Sequence, residues 1–193
     1  MEFNNFFKQY KRNLIHLIEQ LDLEQVKEVV DEFNDVELKH GSVYVIGNGG
    51  SASTSAHILN DLDIGLRRRD IKKLNIVNLT DNIPSITALA NDLDYEDIFF
   101  YQIYEKITST DILLSISCSG NSKNIIKAVK YGKECGATII SFTGFDGGEL
   151  KKLSDININI EAKKGEYGLV EDLHLIINHM IYSFYLKEKS SVR

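Results

Sequence analysis

Several absences narrow the class of this chain before any motif is considered. Its 193 residues include two cysteines, Cys118 and Cys135, too few for a disulfide framework and without the spacing of a zinc knuckle. No apolar run reaches the roughly 18 residues needed to cross a bilayer, and no cleavable signal pattern opens the chain, so cytoplasmic residence is the expectation. Positive charge is not in excess: 22 basic against 28 acidic side chains leave a formal charge of −6. That balance argues against nucleic-acid and membrane-surface binding. Internal repeats and low-complexity tracts are absent. Proline occurs once, as Pro84 after Asp81 and Asn82, where it suits the first turn of a helix. With 43% hydrophobic residues, residues 1–193 are expected to form one domain around a substantial core.

Apolar spacing then gives the order of elements. Phe6, Tyr10, Leu14, Leu17 and Leu21, followed by Val26, Val29, Val30 and Phe33, predict two helices across residues 3–38. This N-terminal hairpin, within residues 1–40, serves packing or oligomerisation. Short apolar runs at 43–46, 74–79, 111–116, 137–142 and 156–160 predict five strands. Helices are expected between and after them, at 51–64, 83–91, 95–108, 122–135, 148–154 and 167–187. Strands that are apolar throughout, alternating with helices, imply an α/β fold: a doubly wound five-stranded parallel sheet flanked by helices.

Two loops carry the chemistry. Gly47-Asn48-Gly49-Gly50-Ser51-Ala52-Ser53 follows the first strand, and Ser117-Cys118-Ser119-Gly120-Asn121-Ser122 follows the third. A strand, a small-residue turn and a helix start form an anion cradle, because glycine admits close backbone approach and helix N-termini present unpaired N–H groups. In an open α/β sheet such loops share the ligand edge, where Thr80-Asp81 and Thr143-Gly144 are also expected. The first loop does not complete G-x-G-x-x-G, since Ala52 holds the last position, and no Gly-Lys-Ser/Thr occurs. Hydroxyl-rich cradles without lysine suit a phosphate on a small sugar better than a nucleotide. Arg67-Arg68-Arg69 reads as a solvated loop or as a phosphate contact, and Cys118 as a space-filling residue or a reactive thiol.

Beside the first loop stand His57 and Asp61, at i and i+4, and late in the chain Glu171 and His179 lie eight residues apart. Two imidazoles and two carboxylates can hold a divalent metal such as zinc. A surface helix pair explains His57 and Asp61 equally well, and His174 competes as the partner of Glu171. The same groups suit aldose–ketose isomerisation, which needs a base for a carbon-bound proton, an acid for the oxygens and stabilisation of an enediolate.

Over nearly its whole length the chain resembles the phosphoheptose isomerase family of sugar-isomerase (SIS) domains. The resemblance is carried by Gly47–Ala52 followed by His57, by Ala90-Asn91-Asp92, by Ser117–Ser122, by Thr143-Gly144 and by Glu171, His174 and His179. It implies an SIS fold and conversion of sedoheptulose 7-phosphate into a heptose 7-phosphate, an early step towards activated heptose for surface polysaccharide. It also implies homotetramers with sites at subunit interfaces and a small-molecule sugar phosphate as partner. By residue, Asn48, Gly49, Gly50 and Ser51 match the first substrate loop, Asn91 and Asp92 a sugar-contacting turn, and Ser117, Cys118, Ser119 and Ser122 the phosphate loop. His57 and His179 match zinc ligands, with His179 also the acid–base histidine.

The departures fall at the chemistry. Asp61 stands where the family has a glutamate that is both zinc ligand and acid–base group, Glu171 where it has a ligand glutamine, Gly168 where it has an aspartate, and Cys118 where threonine is usual. The resemblance therefore implies Asp61, His179 and Glu171 as catalytic residues, with His57, Asp61, Glu171 and His179 around the metal. The alternative is a non-catalytic SIS protein that binds sugar phosphates or partner proteins.

Overall fold

In the computed structural model, residues 2–191 are described. Helices α1 (Phe3–Glu19) and α2 (Leu23–Leu38) precede strand β1 (Ser42–Gly47). Helix α3 (Gly50–Ile58) leads to β2 (Asn75–Asn78), α4 (Ile83–Asp92), α5 (Phe100–Ile103) and β3 (Ile112–Ser117). Then follow α6 (Lys123–Glu134), β4 (Thr138–Gly144), α7 (Gly148–Leu153), β5 (Ile156–Ile160) and α8 (Tyr167–Ser191). Among the described residues no helix is long and apolar enough to cross a membrane.

The five strands form one parallel sheet in the order β2-β1-β3-β4-β5. β3 is buried at every position and β4 at all but its first, as required of central strands covered on both faces. The edge strand β5 alternates instead: Ile156, Ile158 and Ile160 are buried, while Asn157 and Asn159 face Thr143 and hydrogen-bond to it. One apolar layer joins α2, α3 and α8 to one face of the sheet, and a second joins α5, α6 and α7 to the other. The expected doubly wound architecture is the observed one.

Two local expectations are corrected. The helix predicted at 51–64 is α-helical only to Ile58 and continues as a π-helix over Leu59–Gly65, so the backbone there winds more loosely. No continuous helix spans 95–108. A 3-10 turn covers Tyr95–Asp97, α5 is one turn long, and the chain leaves it at Tyr104 and Glu105, the latter at φ 55°. Ile98, Phe99, Ile103 and Ile107 are nevertheless all buried, so their spacing recorded burial and not helix. The break is stabilised by Tyr131, whose hydroxyl accepts the Glu105 N–H at 2.9 Å and whose ring packs on Phe100 and Tyr104. In the N-terminal pair, α2 joins the core through Val26, Val29, Val30, Phe33 and Val36, while α1 buries Leu17 and leaves Phe3, Phe6 and Phe7 exposed.

The strand order places the topological switch point between β1 and β3, whose following helices lie on opposite faces. Ligands of open α/β sheets bind outside the strand ends at such a point. Both small-residue loops leave the sheet there.

Candidate active site

Residues of the two loops line a cleft of about 270 Å³, formed by Asn48, Gly49, Gly50, Ser51, Ser117, Cys118, Ser119, Ser122, Tyr167 and Glu171 among others. Ser117 Oγ and Ser122 Oγ face each other at 3.4 Å. Ser122 is the N-cap of α6 but makes no side-chain cap bond, which leaves its hydroxyl and the first N–H groups of the helix available to an anion. The loop is braced from behind: Asn121 Oδ1 accepts the Glu149 N–H and the Gly120 carbonyl accepts the Leu150 N–H. Gly120 sits at φ +61°, and a Cβ there would stand 2.0 Å from the Gly147 oxygen, so only glycine fits.

A second contact joins the two loops to each other. Asn48 Nδ2 donates to Asn124 Oδ1 at 3.0 Å, and Asn124 Nδ2 donates back to Asn48 Oδ1 at 2.9 Å. Tyr95 adds its hydroxyl to Asn48 Oδ1 at 3.0 Å. Asn124 is 3% exposed and Asn48 half-buried, so this amide pair is a part-buried link between the loop after β1 and the helix after β3.

α3 and α8 pack side by side. Glu171 lies against Gly50 at one end of the seam, and His179 lies against His57 toward the other. His57 Nε2 and His179 Nε2 are 3.0 Å apart; Asp61 Oδ2 is 3.1 Å from the first and 3.8 Å from the second. Their ligand atoms all lie within 4.8 Å of one another. Two imidazole nitrogens and a carboxylate oxygen converging on one point form a donor set that fits zinc or a similar divalent cation, with positions left open for water or substrate. Glu171 does not join this group. It lines the cleft, where its negative charge adds to burial in pushing the Cys118 thiol up to about 11. Cys118 is 6% exposed within the core, so it fills space and is not a reactive thiol. Cys135 caps the C-terminus of α6, partly buried at the edge of the other layer.

Other residues singled out in the sequence are elsewhere. Asn91 and Asp92 are exposed at the end of α4 and do not line the cleft; in this single chain they contact each other, Asn91 Nδ2 donating to Asp92 Oδ1. Arg67, Arg68 and Arg69 are exposed, with Arg67 paired to Asp63 at 2.7 Å and Arg69 bonded to the Gly65 carbonyl. They form a solvated turn. His174 is fully buried and its Nε2 bonds the Thr143 carbonyl at 3.0 Å. Desolvation pulls its pKa down to about 4, so it is a neutral strut beneath β4 and no competitor to His179.

Asn124, Tyr95 and Asn178 were not anticipated. Asn178 carried a signal, since it interrupts the apolar face of α8 formed by Leu169, Val170, Leu173, Ile177 and Ile181. A buried polar residue on such a face requires a partner. Asn124 and Tyr95 sit in ordinary surroundings in the sequence and gave none.

The SIS domain family matches residues 5–144. A probable phosphoheptose isomerase of Thermoplasma acidophilum is 34% identical over 161 residues, covering 83% of this chain and 87% of that protein. The chain belongs to the phosphoheptose isomerase family. Membership makes it an isomerase of the SIS-domain type. The phosphoheptose isomerase of Helicobacter pylori strain P12 is 32% identical over 175 residues, 91% of this chain and 89% of that one. In three dimensions the chain is similar in fold to the phosphoheptose isomerase of Neisseria gonorrhoeae, with a TM-score of 0.84, 24% identity, and 95% of this chain and 96% of that one covered.

Proposed function

We propose that this family member interconverts a ketose phosphate and an aldose phosphate, with sedoheptulose 7-phosphate as the ketose, by proton transfer through an enediolate. The observation that carries the reading is the convergence of His57, Asp61 and His179 at one end of the α3–α8 seam, with the hydroxyl-rich cleft at the other. Gly50 and His57 are seven positions apart on α3, about 10 Å at the helical rise. That span suits a phosphorylated sugar with its phosphate at Ser117–Ser122 and its carbonyl end at the histidines.

In this mechanism Ser117, Ser119 and Ser122, with the N-terminus of α6, bind the phosphate. Asn48, Gly49, Gly50 and Ser51 hold the sugar hydroxyls, and Asn91 and Asp92 are sugar contacts contributed across a subunit interface in a homotetramer. Asp61 takes the proton from the carbon beside the carbonyl, and His179 exchanges protons with the oxygens. Glu171, beside Gly50 and facing the cleft, acts as an auxiliary base. His57, Asp61 and His179 would hold the divalent cation, which supplies Lewis-acid stabilisation of the enediolate oxygens when bound. The relatives named as phosphoheptose isomerases support this substrate class.

The test is conversion of sedoheptulose 7-phosphate followed by NMR, before and after chelation and resupply of zinc. Appearance of an aldose phosphate that stops on chelation and returns with zinc bears the reading out. Binding of the sugar phosphate, seen as thermal stabilisation, with no product under either condition would replace it by a non-catalytic sugar-phosphate-binding role.

A further inference from the structure

Asn178 is 1% exposed and occupies a position on α8 where a leucine would complete the apolar face. Its Nδ2 donates to Asp61 Oδ2 at 2.9 Å. That oxygen is also the one 3.1 Å from His57 Nε2 and 3.8 Å from His179 Nε2. The amide orientation follows from chemistry, because an ionised carboxylate only accepts hydrogen bonds and the NH2 side must face it. The amide oxygen is then left without a partner among the described residues. An unpaired buried acceptor is unfavourable, and an apolar side chain of similar volume would remove it. Position 178 therefore keeps a residue that packing alone disfavours, whose side chain makes one polar contact among the described residues, to the carboxylate shared by the two histidines.

The other groups around Asp61 hold it less firmly. Asn60 Nδ2 reaches Oδ1 at 3.3 Å from an exposed side chain. The His57 and His179 side chains are partly exposed, so they can turn. Successive residues of an α-helix point about 100° apart. Asn178 and His179 thus approach one carboxylate from two sides, the first from the core and the second from the solvent side.

We infer that Asn178 is a positioning residue that fixes Asp61 so that Oδ2 stays directed at both imidazoles, with or without a cation between them. The inference rests on the reading of His57, Asp61 and His179 as the metal and proton-transfer group. A free aspartate can rotate its carboxylate away; one held at Oδ2 by a buried donor cannot do so without stranding that donor.

The test uses the full chain with Asn178→Leu and, should the larger side chain impair folding, Asn178→Ala. Three quantities are measured: the Co2+ dissociation constant of the metal-free protein by visible absorption, the thermal midpoint, and kcat and KM with sedoheptulose 7-phosphate. The expected result for Asn178→Leu is a midpoint at or above that of the parent. Co2+ binding should weaken about 10- to 100-fold, and kcat should fall by a similar factor while KM stays within about threefold. A midpoint that drops, with Co2+ affinity and kcat within about twofold of the parent, would make Asn178 a packing residue and overturn the inference. A parent protein that neither binds Co2+ nor turns over the sugar overturns the metal-site reading, and this inference with it. That outcome differs visibly from a parent that does both and variants that match it.

Discussion

A Cβ built on Gly50 would stand 2.5 Å from Glu171 Oε2 and 2.6 Å from its Cδ. The start of α3 and the first turns of α8 are therefore in direct register, with the carboxylate lying over the glycine backbone. Gly50→Ala is expected to displace Glu171 from the cleft. Helix propensity alone favours alanine by up to about 1 kcal/mol, so stability should hold while kcat/KM falls roughly tenfold, about 1.4 kcal/mol of transition-state stabilisation. Steady-state kinetics with a thermal melt checks this. Unchanged kinetics in a stable variant would remove Glu171 from the reaction.

The reciprocal bonds between Asn48 and Asn124 predict a different loss. Asn124→Leu removes both hydrogen bonds of the pair and leaves Asn48 to Tyr95 alone. The expected destabilisation is about 1–3 kcal/mol by chemical denaturation. KM should rise more than kcat falls, because the two binding loops lose their link. A variant with parental KM would reduce the pair to a packing detail.

Burial of His174 makes a prediction about acid. Desolvation in the folded chain pulls its pKa down to about 4 from the ordinary histidine value of 6.5. The unfolded chain therefore binds the proton more readily, so stability is retained above about pH 6.5 and declines as pH falls towards 4. The full effect is on the order of 3 kcal/mol. His174→Gln keeps an N–H for the Thr143 carbonyl and should flatten that pH dependence in denaturation curves collected between the two values. An unchanged slope would mean that another group governs it.

Much of this was legible in the sequence. The five apolar runs became the five strands because β1, β3 and β4 are covered on both faces, which leaves them little freedom to carry polar residues. The two loops were readable because glycine and serine clusters after strands have few other uses. Across 95–108 the spacing of Ile98, Phe99, Ile103 and Ile107 is that of a helix, yet Tyr131, distant in sequence, supports the turn at Glu105 that breaks it. The π-helix after Ile58 has no residue signature of its own. Spacing also brought Glu171 and His179 together on one side of α8, but the long seam with α3 sets Glu171 beside Gly50 and His179 beside His57. Contacts such as Asn48 with Asn124, 76 positions apart, exist only once the sheet has assembled.

Asp61→Asn and His179→Ala each remove one member of the trio without touching Ser117–Ser122. Both are expected to lower kcat by about 10²- to 10⁴-fold while thermal stabilisation by the sugar phosphate persists. Loss of that stabilisation together with kcat would mean that the trio binds substrate and does not act on it.

The central claim is that a proton leaves the carbon beside the carbonyl at this site. Incubation of sedoheptulose 7-phosphate in D2O with the zinc-loaded protein, followed by proton NMR, reads that step directly. The account predicts loss of that carbon's proton signal with the parent protein and its retention with Asp61→Asn. Retention of the signal with the parent, or equal loss with Asp61→Asn, would contradict it.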